Sequence, residues 1–302
     1  MPSHIRDGGL DWHRNGKPVR EEGYSTDLIA EESVQLVKNH DTKKPLFLYV
    51  PFNAVHGPYQ NVPSQELRDS YKDLRGSETR RTYAGMVTTL DTAVGRIVTA
   101  LEEKGIKDNT LFFFSSDNGG PNPRQITSNG ELRAGKGTLY EGGVRVPAFV
   151  TWQGKIKPGT VSNELIHIVD LYPTLLKIAG APVEQKLPLD GVDQRAAFLE
   201  QKPSARTEIL HNAEKDRGAI RVGDWKLVLT NLDKSAKGQP VKQELFDISK
   251  DPNEKTDLSS SQPDKLKELL ERYQTYAKQA VPALSKPQPK DYKAPKVWGE
   301  FD

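Results

Sequence analysis

The 302-residue sequence contains no cysteine. Without thiols the chain cannot form disulfide bonds, build a zinc site from thiolates or use a cysteine nucleophile. It also lacks a run of about 18 or more apolar residues, which a membrane-spanning helix requires. Residues 1–16 contain no apolar core of a secretory signal peptide. The sequence therefore predicts no membrane span and shows no export signal.

Neither sign of charge is in excess. The chain has 43 Lys and Arg against 41 Asp and Glu, a net charge of +2, and these residues are spread along its length. Because proteins bind nucleic acid through concentrated basic surfaces, we expect no nucleic-acid partner. A hydrophobic content of 35% is sufficient for a large α/β domain.

Helix and strand patterns alternate between residues 25 and 180, which is typical of a mostly parallel sheet flanked by helices. The predicted helices cover residues 25–40, 80–105 and 163–180, and the predicted strands cover 45–52, 109–120 and 144–152. The almost wholly apolar run at 45–52 predicts a strand buried on both faces. A sheet with so few strands would expose an edge, which predicts self-association.

A different pattern begins near residue 207. Short strand candidates follow one another there, with Gly223 and Asp224 as a hairpin turn, and a helix is predicted at 263–280. This pattern indicates a small antiparallel sheet with a terminal helix. We divide the chain into an α/β portion at 1–206, the sheet with its helix at 207–281, and an extended proline-rich tail at 282–302.

Two adjacent polar residues lie near the end of the segment 109–120, where the predicted strand runs into a polar loop. Asp117 and Asn118 lie in the string Ser-Ser-Asp-Asn-Gly-Gly, and functional groups collect at the carboxyl ends of strands in open α/β sheets. Their side-chain oxygens are ligands of the kind that calcium prefers. An Asx turn selected only for its geometry explains the same residues.

His56 follows the other predicted strand, in the string Asn-Ala-Val-His-Gly-Pro. Such a histidine can donate to an anionic oxygen or transfer a proton. Lys136 lies in a glycine-flanked loop that could bring its ammonium group against an oxyanion. An ordinary loop histidine and a solvated lysine are the alternatives for these two positions. His167 is interpreted as a packed or capping residue.

Eight segments, taken together, resemble the type I, formylglycine-dependent sulfatases in order and spacing, most closely the arylsulfatase B group. They lie at 44–60, 83–105, 109–120, 132–150, 164–180, 189–193, 219–228 and 244–258. The resemblance spans roughly residues 23–275. It implies an alkaline-phosphatase-like α/β fold, in which residues 1–206 are the C-terminal portion of the catalytic domain and a small antiparallel sheet follows.

The resemblance also implies a site. Asp117 and Asn118 match ligands of one calcium ion, and His56 and Lys136 match catalytic residues that contact the sulfate ester. His211 falls where some relatives place a substrate-facing residue. The implied reaction is hydrolysis of a sulfate monoester, in a small molecule or a sulfated glycan, through a covalent intermediate on formylglycine. Relatives are commonly periplasmic or secreted, and the absence of Asn-x-Ser/Thr sequons favours a bacterial origin.

The family pattern is incomplete in this sequence. It contains no Cys/Ser-x-Pro-x-Arg string, from which formylglycine is made, and lacks the paired aspartates that complete the calcium site. We therefore expect a truncated chain that has an incomplete calcium ligand set and is inactive alone. The alternatives are a non-catalytic module or relic that binds sulfated ligands, and a phosphoester or phosphonate hydrolase of the same superfamily.

Overall fold

The computed structural model describes residues 4–121, 123, 125–213, 217–230, 241–281, 289 and 291–299. The chain forms two compact units, which are described separately. Unit 1 comprises Met1–Asn109, Arg124–Thr127 and Ala283–Asp302, and unit 2 comprises Thr110–Pro123 and Ser128–Pro282. Within the described part of the chain, no helix is both long and apolar enough to cross a membrane.

The described residues of unit 1 form two short β-hairpins and three α-helices. Its elements are β1 (Ile5–Arg6), β2 (Gly9–Leu10), β3 (His13–Arg14), β4 (Lys17–Pro18), α1 (Ser25–Asn39), α2 (Gln65–Ser70) and α3 (Glu78–Glu103), followed by a short 3-10 helix at Lys107–Asn109. The helices predicted at 25–40 and 80–105 are therefore confirmed. The sequence patterns did not indicate the four short strands.

Local signals fix the ends of α3. The Ser77 hydroxyl accepts a hydrogen bond from the Arg80 amide at the start of the helix. Gly105 adopts a left-handed conformation with φ of 74° at its end, a backbone geometry in which glycine carries no steric penalty. Small and branched residues of α3 are buried, including Ala93 and Ile97, and α3 packs against α1.

The prediction of a buried strand at 45–52 is wrong. These residues form no strand in the structure, and Phe47 and Tyr49 are 79% and 77% exposed. An apolar run becomes a strand only when a neighbouring strand pairs with its backbone. The part of the chain that the structure describes provides no such partner for this segment.

The predicted tail at 282–302 lies partly outside the described residues. Its described end binds the N-terminal hairpins of unit 1: the Leu10 amide donates to the Lys296 carbonyl at 2.9 Å, and the Trp298 amide donates to the Leu10 carbonyl at 2.8 Å. The Arg6 guanidinium lies 4.3 Å from the centre of the Trp298 ring. This end of the tail is docked onto the N-terminal hairpins.

Unit 2 contains two sheets, four α-helices and one 3-10 helix among its described residues. Its elements are β5 (Phe112–Ser115), α4 (Glu141–Val144), β6 (Ala148–Thr151), a 3-10 helix at Ile168–Asp170, α5 (Leu171–Ile178), α6 (Arg195–Glu200), β7 (Glu208–Ala213), β8 (Gly218–Val222), β9 (Trp225–Thr230), β10 (Lys242–Asp247) and α7 (Pro263–Ala277). The division into domains at residue 206 stays a prediction.

The first sheet of unit 2 differs from the predicted parallel arrangement. Strands β5 and β6 lie within the predicted ranges, but they pair antiparallel, with Phe114 opposite Phe149. The residues between them form loops and the four-residue helix α4. A parallel pair needs a crossover connection that carries the chain back to the same end of the sheet. This connection is no such crossover, so β6 runs opposite to β5.

The second sheet confirms the predicted antiparallel subdomain. Its strand order is β10-β9-β8-β7, every neighbouring pair is antiparallel, and Gly223 and Asp224 form the predicted turn. Leu227 and Leu229 of β9 pack with α7 in a hydrophobic core. On the other face, Val228 and Phe246 pack against Leu139 and Tyr140.

The helix predicted at 163–180 begins later than expected. Residues 163–167 are not helical, because His167 acts as a cap: its Nδ1 atom accepts a hydrogen bond from the Val169 amide, while the Asp170 carboxylate accepts one from the His167 amide. This pair forms a capping box that starts the 3-10 helix. The interpretation of His167 as a capping residue is confirmed.

Candidate functional site

Asp117 and Asn118 lie directly beyond the carboxyl end of β5, as predicted. The Ser116 hydroxyl donates to the Asn118 carbonyl at 2.9 Å and holds this turn. The structure gives neither the Asp117 carboxylate nor the Asn118 carboxamide a hydrogen bond or ion pair to any residue that it describes. Both side chains are therefore available to an external ligand.

The loop that carries Lys136 is joined to this turn by its backbone. The Lys136 amide donates to the Gly120 carbonyl at 3.3 Å. Asn129 links both segments: its carboxamide accepts from the Gly120 amide at 2.9 Å and donates to the Ala134 carbonyl at 2.8 Å. Lys136 itself is exposed, and its ammonium group has no partner among the described residues.

Glycines allow these segments to approach closely. The Gly119 amide donates to the Gly143 carbonyl at 3.0 Å, and the Gly142 amide donates to the Arg133 carbonyl at 2.9 Å. A Cβ atom on Gly119 would lie 1.8 Å from the Gly142 carbonyl oxygen, far inside van der Waals contact. Only a residue without a side chain fits here, so Gly119 packs the Asp117 turn against α4, which directly follows the loop of Lys136.

We expect Gly119→Ala to destabilise the protein by about 3 kcal/mol, because the added methyl group must displace the backbone at Gly142. Gly95→Ala is the control. Gly95 lies in α3, and a Cβ there meets nothing within 4 Å, so alanine should stabilise the helix by about 1 kcal/mol. Urea unfolding measures both changes. Similar midpoints for the two variants would contradict the close packing at Gly119.

His56 lies in unit 1, in a turn closed by a hydrogen bond from its amide to the Asn53 carbonyl at 2.9 Å. The ring is exposed, and its Nδ1 atom lies 2.8 Å from the Gly57 carbonyl oxygen. Because a carbonyl only accepts hydrogen bonds, Nδ1 carries the proton and Nε2 is left for a ligand. Its position relative to the residues of unit 2 stays a prediction.

The structure therefore brings the turn of Asp117 and Asn118 together with the loop of Lys136. The oxygen chemistry of these two side chains suits a hard cation, but calcium takes six to eight oxygen ligands. Within the described ranges, no group of three or more His, Cys, Asp or Glu residues could hold a metal ion. Any calcium site here has ligands beyond those that these residues supply.

His211 lies on β7. Its Nε2 atom is buried and lacks a hydrogen-bond partner among the described residues. Burial, with the nearby cation of Lys226, lowers the pKa of His211 to about 3. The ring is therefore neutral at physiological pH. Its contact with substrate stays a prediction.

The pKa of His211 predicts an acid-labile fold. In the unfolded chain His211 has an ordinary pKa of about 6.5, so between pH 6.5 and 3 the unfolded state binds more protons and stability falls as pH decreases. The loss amounts to about 2 kcal/mol by pH 5. His211→Leu should remove this component, as measured by urea unfolding at pH 7, 6 and 5. Parallel pH profiles of the two proteins would contradict it.

The sequence patterns missed Asn129 and a buried group of charges, namely Glu141, Lys226 and Glu254. Asn129 lies in a Ser-Asn-Gly string that reads as an ordinary turn. Lys226 interrupts an otherwise apolar strand, and this irregularity was the one available signal.

Comparison with known families gives two matches. Residues 5–181 match the sulfatase family, and residues 133–279 match the family described as N-sulphoglucosamine sulphohydrolase, C-terminal. The second match contains both the loop of Lys136 and the antiparallel sheet. Together, the two matches extend over nearly the whole described chain.

Individual relatives agree. Arylsulfatase J of Mus musculus is 35% identical and covers 87% of this chain and 50% of its own length. N-acetylgalactosamine-6-sulfatase of Canis lupus familiaris is 34% identical over 63% of this chain and 37% of its own. The crystal structure of Ps i-CgsB in complex with k-i-k-neocarrahexaose matches with a TM-score of 0.75 at 35% identity, covering 87% of this chain and 57% of that one.

The chain thus spans about half the length of arylsulfatase J. The structural match confirms the predicted fold class, the alkaline-phosphatase-like α/β fold of sulfatases. Because the sulfatase match extends over more than half of the 302 residues, the chain belongs to the sulfatase family.

Proposed function

We propose that this chain carries part of the substrate-binding and metal-binding surface of a sulfuric ester hydrolase, which cleaves a sulfate monoester to an alcohol or phenol and sulfate. One observation supports this most directly: the glycine contacts pack the turn of Asp117 and Asn118 against the loop of Lys136. Unpaired oxygen ligands and an unpaired ammonium group therefore occupy one junction.

Asp117 and Asn118 would provide two oxygen ligands to one calcium ion. A bound cation neutralises charge on the oxygens of a sulfate group. Lys136 would hold sulfate oxygens by charge-assisted hydrogen bonds, and these strengthen as charge develops on the ester during cleavage. These three assignments are supported by the observation that the side chains have no partners among the described residues.

His56 would contact an ester oxygen through Nε2, as a hydrogen-bond or proton donor when that nitrogen carries a proton. The hydrogen bond from Nδ1 to the Gly57 carbonyl supports this assignment, because it orients the ring and leaves Nε2 for a ligand. His211, whose ring is neutral, would at most line the pocket without charge.

Formylglycine does not fit the residues of this sequence. No cysteine is present, and no serine begins a Cys/Ser-x-Pro-x-Arg string. The role proposed for these residues is therefore to bind and orient a sulfate ester, without a step on an aldehyde. A hydrolytic rate at the level of complete sulfatases is not expected of these residues alone.

Sulfate esters of sugars are the proposed substrates. N-acetylgalactosamine-6-sulfatase takes its name from a sulfated sugar, and Ps i-CgsB was crystallised with neocarrahexaose. Asp117 and Lys136 are exposed, which suits a large, hydrophilic ligand of this kind. A periplasmic or secreted location, where such polymers are found, forms part of the proposal.

Hydrolysis of nitrophenyl sulfate and nitrophenyl phosphate tests the reaction. The assay should use this chain and also the product of any in-frame coding sequence upstream of Met1. We expect sulfate to be cleaved faster in the active preparation. Faster phosphate cleavage would favour a phosphoester or phosphonate hydrolase instead.

A non-catalytic module that binds sulfated ligands is the second candidate, favoured by the absence of a Cys/Ser-x-Pro-x-Arg string. It predicts sulfate binding without turnover in every preparation.

Self-association through the exposed segment at 45–50 belongs to either candidate, since its apolar side chains and unpaired backbone suit pairing between strands. Sedimentation velocity tests it, and a monodisperse monomer would contradict it.

A further inference from the structure

Three charged residues of unit 2 form a buried group, called here the Glu141–Lys226–Glu254 triad. Lys226 is fully buried, and Glu141 and Glu254 are 2% and 1% exposed. The Lys226 ammonium lies 2.8 Å from Glu141 Oε1 and 2.9 Å from Glu254 Oε1. Burying ions is costly unless they are paired, and a buried ion pair often adds little stability compared with apolar residues. The triad therefore calls for a role besides stability.

The triad joins the antiparallel sheet to the loop of Lys136. Lys226 lies on the face of β9 opposite Leu227, and this face packs against residues 139 and 140, at the end of the loop. Glu141 is the first residue of α4, and Glu254 follows β10. The sheet thus reaches the loop through both apolar and ionic contacts.

Glu254 contacts both ends of residues 134–140, the loop that contains Lys136. At one end its carboxylate accepts a hydrogen bond from the Glu141 amide at 2.6 Å. At the other end its carbonyl accepts one from the Arg133 guanidinium at 3.0 Å. These two bonds fix the distance between the ends of the loop.

The backbone of Glu254 supports a specific role for its side chain. Glu254 has a φ of 53°, in the left-handed region, which costs about 1 kcal/mol for a residue with a Cβ. Glycine would avoid this cost. Burial also raises the pKa of the Glu254 carboxyl, so Lys226 and the Glu141 amide compensate for an unfavourable environment.

We propose that Glu254 and Lys226 are positioning residues for Lys136. By clamping the loop at 133 and 141, the triad sets where the Lys136 ammonium lies relative to the turn of Asp117 and Asn118. The proposal rests on the proposed function of Lys136 in sulfate binding. Lys226 of β9 and Glu254 thereby take part in the site without themselves contacting the ligand.

The test measures binding of inorganic sulfate to the 302-residue chain by NMR titration. Glu254→Gln keeps the shape of the side chain but removes one of the two carboxylate charges that hold Lys226. We expect it to weaken sulfate binding about tenfold and to shift the Gly119 and Gly142 amide signals. Leu227→Ala is the matched control, since it destabilises the same sheet from the opposite face, and it should change the dissociation constant less than about twofold.

Arg133→Lys provides a second variant in case Glu254→Gln does not fold. Arg133 is half-exposed, so the protein should tolerate its replacement. Lysine keeps the charge but lacks the forked guanidinium that reaches the Glu254 carbonyl, so we expect about threefold weaker sulfate binding. The proposal is overturned if the folded variants keep both the wild-type affinity and the wild-type amide signals. If the wild-type chain binds no sulfate, the proposed function of Lys136 fails, whereas the amide signals still decide whether the triad positions the loop.

Discussion

Replacing Asp117 by asparagine is expected to weaken calcium binding on the order of 100-fold, since the site loses its one carboxylate among the two assigned ligands. The substitution preserves shape, and Asp117 is exposed without a partner among the described residues, so the fold should not change. Calcium titration followed through the amide signals of residues 117–120 measures the effect. In an active preparation, hydrolysis of nitrophenyl sulfate should be lost as well.

Asp91→Asn is the control for this experiment. Asp91 is an exposed residue of α3, and its replacement removes the same charge from unit 1. It should leave calcium binding unchanged. Wild-type calcium affinity in Asp117→Asn would remove the metal assignment and would favour the Asx turn as the reason for the Asp-Asn-Gly-Gly string.

Replacing Lys136 by methionine is expected to weaken binding of inorganic sulfate by about tenfold and to lower turnover on the order of 100- to 1000-fold in an active preparation. Methionine retains the length of the side chain and removes the charge. The effect on turnover exceeds the effect on binding, because the charge on the ester oxygens increases in the transition state. Sulfate titration and nitrophenyl sulfate kinetics measure the two quantities.

Lys267→Met provides the comparison for Lys136. Lys267 is exposed on α7, outside the proposed site, and losing its charge changes the net charge by the same amount. Equal effects of the two substitutions would mean that the long-range field of the protein attracts sulfate, and that Lys136 does not bind it directly. Such an outcome would remove Lys136 from the site.

The sequence predicted those parts of the fold that depend on nearby residues. Helix α3 is predictable because its apolar spacing and the glycine at its end, Gly105, lie within one continuous segment. The sheet at 208–247 was found because its turn at Gly223 marks a hairpin. In each case the information is local.

Strand pairing could not be predicted in the same way. The segment at 45–52 has the composition of a buried strand, but composition does not specify a partner, and the described residues supply none. The direction of β6 relative to β5 depends on the path of the connection between them. That connection includes close backbone contacts at Gly119 and Gly142, which a hydrophobic pattern does not reveal.

The candidate site shows the same division. Asp117, Asn118 and Lys136 are predicted as site residues because their strings match a family and their types suit the chemistry, and this assignment stays a prediction. Lys226 and Glu254 were missed because charged residues are ordinarily exposed, so a pattern-based prediction places them on the surface. Their burial results from contacts between segments that are far apart in sequence.

The docking of Trp298 and Lys296 onto Leu10 has a consequence for the order of folding during synthesis. Domains usually fold as they leave the ribosome, with N-terminal parts first. Here the hairpins at 5–18 must wait until residue 298 has been translated before their final neighbours are available. In the sequence, most of unit 2 comes between the hairpins and residue 298, so unit 2 can complete its own core before these parts of unit 1 meet.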